Sequence, residues 1–431
     1  MSETDEKITD VESQFGGILI DHLHKLSSMR HIIPFIQMMV SGYRASINKE
    51  KGEFLEEHGE LVETEENIKR YTVPLTQSGQ IKTITRRLRR AETASQTLPS
   101  TFVVALVSEY DAFLGQLIAE VLRVQPQLLN SSEKNISFSE LQTFGDIEEA
   151  RASVVEKEVE TVLRKSHSDQ FSWLEKKLGI ELRKGLDCWP AFIELTERRN
   201  LFVHADGIAS SQYFHVCRSN GVSITDDIVL GARLQANREY IHKAYECLYE
   251  ISSKLAQVIW RKLLPEEMGK ADIVLLEATY ELLVEKQNRL ATNLLTFAVE
   301  TLKKWDSESN RRMFVINYAQ SFYHRGDVEK AADILNREDW TACSDDFKLC
   351  ELVLRKEYEG AFKLMKSMGK GGPLDERCYM DWPIFRDFRH HDDFPNVYEE
   401  VFGHVPVNLA EIERNPNLGN DHTVKSDEKI Q

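Results

Sequence analysis

An all-α fold with one small β-hairpin excursion is what this sequence predicts, on three observations. Apolar residues recur at helical spacing through most of its 431 residues. Gly, Pro and small polar residues fall where helix ends need them, and the one clear hairpin signal is Asn220-Gly221 between two extended runs. Beyond Pro265 the pattern changes to short helix pairs. The length allows two or three domains with ample core burial, so neither staples nor a structural metal is needed for stability. Four segments are expected: an N-terminal helical region over 1–95, a helical bundle over 96–264, helical repeats over 265–405 and a disordered tail over 406–431.

Residues 1–14 are polar and are expected to fray. From Phe15 to Ser46 the residues Ile18, Leu19, Leu23, Leu26, Ile32, Ile33, Ile36, Met39 and Val40 fit a helix, with Pro34 as a kink or break. The acidic stretch after it repeats Phe54, Leu61 and Ile68 every seven residues, a narrow seam on a charged helix whose Glu53, Glu56, Glu57, Glu60 and Glu63 form the solvated face. Next comes a dense basic run from Lys82 that includes Arg86, Arg87, Arg89 and Arg90. It either grips phosphates through charge-assisted contacts or neutralises the acidic helix before it. Pro99 followed by Ser100, a good N-cap, reads as a boundary.

Phe102 to Val124 reads as a buried helix, interrupted by Glu109 and Asp111. Burying a carboxylate costs on the order of several kcal/mol unless it is paired, so these two acids are either paired or on the exposed edge. A helix is expected from about Ile147 to Lys165, then a short one capped by Ser168-Asp169, bearing Phe171, Leu174 and Leu178 and closed by Gly179. Asp187 and Pro190 open the next helix and Gly207 ends it. The hairpin is expected over Tyr213–Ile224, and a long helix from about Arg233 to Leu264 carries Leu234, Ile241, Tyr245, Leu248, Ile251, Leu255, Val258 and Ile259.

The helix between Pro190 and Gly207 gathers an Arg, an Asn and a His at its end. Asn200 and His204 are four apart and share a face, whereas Arg199 points about 140° away from His204. One straight helix therefore does not close an Arg/His pair by itself; a long Arg side chain, a bend or a second copy across a two-fold axis would. Arg199-Asn200-Leu201-Phe202-Val203-His204 resembles the RNxxxH form of the Arg-x(4–6)-His motif of HEPN domains, small all-helical modules of which many are metal-independent RNA endonucleases. The bare spacing recurs at Arg386 and His391, but only the first copy has Asn after the Arg and a helix end after the His.

The resemblance implies RNA as substrate, no metal and no cofactor. His204 would take the 2′-OH proton or protonate the leaving 5′-oxygen, since imidazole titrates near neutrality. Arg199 would hold the scissile phosphate, and Asn200 would orient His204 or donate to a phosphate oxygen. Glu109 or Asp111, on the first helix of such a bundle, would orient Arg199. The product ends would be a 2′,3′-cyclic phosphate and a 5′-hydroxyl. The same resemblance implies a homodimer through the bundle and a bacterial defence or toxin effector, the alternative being a non-catalytic HEPN scaffold or adaptor.

Asn317 to Leu335 resembles a tetratricopeptide unit, with Ala319, Phe322, the turn at Gly326, Ala331 and Leu335 in the expected places. A second unit comes next with Leu352, Tyr358, Ala361 and Met365, and an earlier pair runs from Ile273 to Leu302 with Ala291 as its packing residue. Such arrays offer a concave face to a protein partner or regulator. Six cysteines without a C-x-x-C suit a reducing cytosol and argue against zinc. Arg389-His390-His391-Asp392-Asp393 holds common metal ligands, yet adjacent His residues rarely present both rings to one ion. A formal charge of −16 leaves any RNA contact to local basic clusters. The longest apolar run, Ile32–Val40, is far short of the roughly 20 residues of a bilayer span, and the opening residues are not a signal peptide, so a cytoplasmic protein without a membrane partner is expected.

Overall fold

The computed structural model describes residues 13–65, 68–131, 137–226 and 228–406. The expectations for residues 1–12 and for the tail beyond 406 lie outside the described residues. The chain divides into two compact units, Met1–Ala278 and Thr279–Gln431. Both are helical, and among the described residues the one sheet is a two-stranded antiparallel pair.

The first unit is built on two long helices, α1 (Gln14–His58) and α2 (Ser78–Val124), which run side by side in opposite directions. Between them lie β1 (Glu60–Glu65) and β2 (Ile68–Thr72), paired antiparallel with a register shift between Leu61 and Glu63. The seven-residue seam therefore does not continue as a helix. Gly59 takes an extended conformation and ends α1, and Leu61 and Ile68 fall on facing strands instead.

Neither Pro34 nor Pro99 stops its helix. Each lacks an N–H and so removes one helical hydrogen bond, but packing of the two long helices against each other outweighs that loss. The boundary expected after residue 95 thus falls inside α2, and the first unit runs to Ala278 rather than ending at 264. Lys25 meets Glu109 at 3.0 Å, His22 stacks on Phe113 at 4.4 Å and Arg87 meets Glu50 at 2.9 Å. By that register Pro34 and Pro99 stand within about one helical turn of one another. Beyond the prolines the pair is held by a small core of Ile47, Phe54, Ile84, Leu88 and Ala91.

On the other side of the prolines the helices enter the main core. There α2 packs on α3 (Ile147–Leu163), α5 (Trp189–His204) and α7 (Arg238–Leu263), and α1 also packs on α7. Gly115 is where α2 and α3 approach closely, since a Cβ there would lie 3.1 Å from Leu163 Cδ1. An eighteen-residue window of the helical stretch Leu75–Val124 has a mean hydropathy of 1.5, and 56% of that window is buried inside the protein. It is a core helix by packing, whatever its composition.

His22 sits in this core, 2% exposed, sharing a 2.9 Å hydrogen bond with Ser252. Burial, with Lys25 nearby, pushes its pKa down to about 3, so the folded chain holds it neutral. Its folded value lies below its unfolded value, so the unfolded chain binds the extra proton between the two. The contribution is complete above pH 6.5 and is lost as pH falls towards 3. Urea unfolding of the wild type should lose up to about 1 kcal/mol per pH unit more than His22→Gln across pH 6 to 4. Parallel pH profiles for the two proteins would refute this.

The second unit consists of helix pairs. After α8 (Met268–Val284), which crosses the unit boundary, come α9 (Asn288–Thr296), α10 (Glu308–Tyr323), α11 (Val328–Leu335), α12 (Asp345–Leu354) and α13 (Tyr358–Met368). The turns between paired helices carry left-handed residues at Lys286, Gly326 and Lys356. Ala291, Ala319, Ala331 and Ala361 are buried where neighbouring helices meet. The last helix, α14 (Phe394–Phe402), closes the series against α13.

Candidate active site

The candidate site forms where α5 ends. Pro190 lies in the first turn of α5 and Cys188 stands at its N-cap without a side-chain bond, so Asp187 does not cap it. The C-terminal end is fixed more firmly. Ala205 and Gly207 both donate backbone hydrogen bonds to the Leu201 carbonyl, and Asp206 and Gly207 are left-handed. A Cβ on Gly207 would stand 3.1 Å from the Leu234 carbonyl, a tight contact on top of the left-handed conformation that favours Gly.

The segment after α5 is helical, which corrects the expected hairpin. Residues Ser211–Ser219 form α6, capped by Ser210, whose side chain accepts from the Tyr213 N–H. Asn220-Gly221 serves as its C-terminal stop, with Gly221 at φ 75°, in place of a hairpin turn. Tyr213 and Cys217, four apart, then bury against Leu201, Ala209 and Leu234, a helical pairing that an extended strand could not make. Likewise α4 (His167–Leu178) is capped earlier than Ser168-Asp169 suggests: Ser166 accepts from the Asp169 N–H and donates to its carboxylate at 2.6 Å.

An aromatic cluster joins the helices that carry the site. Phe192 of α5 packs edge-on against Tyr110 of α2 at 4.9 Å and against His167 of α4 at 5.5 Å, and Phe171 meets Trp189 at 4.8 Å. These contacts hold three helix segments around a cavity of about 600 Å³ lined by Asp111, Arg164, Lys165, Ser166, His167, Glu197, Arg199, Asn200 and His204, among others. Arg199, Asn200 and His204 therefore open onto one cavity of one chain.

Of the two acids on α2, it is Asp111 that meets the motif. Its carboxylate receives the Arg199 guanidinium through Oδ2 and His167 Nε2 at 2.9 Å through Oδ1. Glu109 turns to the other side, to Lys25 at 3.0 Å, and takes no part in the cavity. Arg199 also donates to Asn200 Oδ1 at 3.2 Å, while its Nε is buried with no hydrogen-bond partner among the described residues. Burial pushes the Glu197 carboxyl upward, opposed by His167 and by a hydrogen bond to Asn200.

Two adjacent arginines thus have different tasks. Arg198, on the far face of α5, bonds Glu194 at 2.6 Å and the Gln235 carbonyl at 3.0 Å, and stacks over Tyr240 at 4.2 Å. Glu194 is in turn held by the hydroxyls of Tyr213 and Tyr240, both at 2.8 Å. Arg198 is a structural member of a closed network, and Arg199 faces the cavity. Motif spacing singles out neither His167 nor Glu197; the one local signal for His167 is the Ser166-x-x-Asp169 capping pattern, which puts it at the first position of a helix.

The basic run lies apart from this cavity. Arg86, Arg89, Arg90 and Thr93 line a second concavity of about 320 Å³. Arg90 is 21 residues from Asp111 along the same helix, about 31 Å at helical rise. Arg87 points elsewhere and pairs with Glu50. At Arg386–His391 there is no helix end comparable to that of α5: Phe388–His390 form a single 3-10 turn, and His390 bonds the Arg386 carbonyl. Among the described residues no three His, Cys, Asp or Glu converge in the manner of a metal site.

Compared with models of protein families, with curated proteins and with solved structures, the chain finds no match.

Proposed function

We propose that this protein is a metal-independent RNA endonuclease of the HEPN type, acting at the cavity of Asp111, Arg199, Asn200 and His204. The observation that carries the reading is the convergence of Arg199, Asn200 and His204 on one cavity, with Arg199 anchored by Asp111. An anchored guanidinium beside an imidazole is the equipment that transfer of a phosphate ester to a neighbouring hydroxyl needs.

In the proposed reaction His204 removes the 2′-OH proton, the oxygen attacks phosphorus, and the bond to the 5′-oxygen breaks. That oxygen takes its proton from the same histidine of a second copy, because such motifs are expected to act in pairs across a dimer. Arg199 offsets the charge that grows on the phosphate oxygens, and Asn200 holds Arg199 through its side-chain oxygen. Products are a 2′,3′-cyclic phosphate and a 5′-hydroxyl. In this reading the helix pairs after α8 are tetratricopeptide-like and receive a protein regulator, and the setting is a bacterial cytoplasm in which unchecked cleavage acts as a toxin or defence effector.

A second reading, a non-catalytic HEPN scaffold, is favoured by one observation: both Nη atoms of Arg199 already have partners inside the chain. Cleavage of tRNA and of a stem-loop RNA in EDTA separates the two. Wild type should leave cyclic-phosphate ends, and Arg199→Ala and His204→Ala should each lower the rate by about 10²–10⁴-fold without loss of folding. Equal rates in all three proteins would leave only the scaffold.

A further inference from the structure

The basic run acquires a direction once it is placed on α2. From Asp111, which faces the cavity, Thr93 lies 18 residues back, which on a regular helix is five full turns and the same azimuth. Arg86, Arg89 and Arg90 fall within about 20°, 40° and 60° of that line, while Arg87, paired with Glu50, is turned about 120° away. The arginines that line the second concavity therefore share one side of α2 with the residue that anchors Arg199, roughly 30 to 40 Å along the helix.

The ground between them has a definite chemistry. Thr93, Gln96, Thr97 and Ser100 occupy this face next to the arginines, Val104, the buried Val107 and Ser108 lie between them and Asp111, and no acid lies within about 60° of it between Arg86 and Asp111, in a chain whose formal charge is −16. Thr93, Thr97 and Ser100 each donate their hydroxyl proton to a helix carbonyl, at 3.0, 2.9 and 2.7 Å. Their oxygens keep lone pairs, which suit the donors of ribose 2′-hydroxyls. Arg86, Arg89 and Arg90 are exposed and make no ion pair among the described residues. The face carries no aromatic side chain on which an unpaired base could stack, so its contacts are with phosphate and sugar.

We infer that this face of α2 binds the paired stem of a structured RNA, with Arg86, Arg89 and Arg90 on its phosphates, and so presents the adjoining unpaired segment to the cavity. The inference rests on the nuclease reading and deepens it: the substrate class is RNA with a stem-to-loop junction, and the separation of the two sites sets which phosphate is cut.

The test is fluorescence anisotropy with full-length His204→Ala, which binds without turnover, against the same protein carrying Arg86→Ala, Arg89→Ala and Arg90→Ala. Ligands are a hairpin RNA, a single strand of equal length and a duplex DNA, between 50 and 200 mM salt. The substitutions should weaken hairpin binding about tenfold or more and reduce the slope of log K against log salt by about two to three, with little effect on the single strand. An unchanged hairpin affinity and slope would overturn the inference, and an equal loss on the single strand would overturn its paired-stem content. In parallel, the triple variant with His204 intact should show a raised KM on hairpin RNA and an unchanged kcat. A wild type that cuts nothing while arginine-dependent hairpin binding persists overturns the nuclease reading and supports the binding face. A triple variant that cuts hairpin RNA with unchanged KM overturns the binding face alone.

Discussion

Asp111→Ala is expected to destabilise the protein and, on the proposed nuclease reading, to slow RNA cleavage by roughly a hundredfold. The carboxylate fixes two groups at once, Arg199 through Oδ2 and His167 through Oδ1. Without it the guanidinium is free to swing within the cavity, and a misplacement of about 1 Å is enough for a loss of that size. His167 is 7% exposed and loses the acceptor of its Nε2, which costs about 1–3 kcal/mol. Asp111→Glu keeps the charge and should restore part of the rate. Single-turnover cleavage and thermal unfolding of both variants check this. A variant that loses stability yet cleaves at the wild-type rate would make Asp111 a structural residue only.

The largest effect on stability should come from Asp272. Its side chain is fully buried and accepts from Arg261 Nη2 at 2.6 Å, and Arg261 is itself 9% exposed. Arg261 Nε donates to Gln257 Oε1 at 2.9 Å, and Gln257 Nε2 donates to the Ala271 carbonyl at 2.9 Å, so the pair belongs to a network that joins α7 to α8. Asp272→Ala leaves a buried guanidinium short of its carboxylate and should cost about 3–5 kcal/mol. The apolar replacement Asp272→Leu with Arg261→Met removes both charges together and should recover most of that loss. Urea unfolding of the single and double variants decides it: a double variant no more stable than Asp272→Ala would mean that the network contributes shape rather than compensated charge.

How much of this was legible in the sequence depended on whether the deciding contact was local. The end of α5 was legible because Gly207 is required by the conformation of its own backbone. The helix pairs of the second unit were legible because alanines recur within short stretches where the helices are buried and Gly326 marks one of the turns; the turns at Lys286 and Lys356 carry no such signal. Where a distant contact decides, local signals misled. Pro34 and Pro99 are breakers by propensity, and each is carried through by packing against the other long helix. Asn220-Gly221 is a turn signal for a hairpin and for a helix end alike, and what makes it a helix stop is the burial of Tyr213 and Cys217 against Leu234. In the site, spacing singled out Arg199 over Arg198, but nothing local separates Asp111 from Glu109. They sit two residues apart on α2 and face opposite partners, and only the positions of α1 and α5 tell them apart.

The two prolines have a mechanical consequence. A pair of long helices locked side by side resists bending as a beam does, because curving one requires stretching the other. Pro34 and Pro99 weaken both members at nearly one height, where each helix is short of one backbone N–H. The beam is notched. Bending of the pair therefore costs least at that height, between the segment carrying Arg86, Arg89 and Arg90 and the part of α2 that carries Asp111.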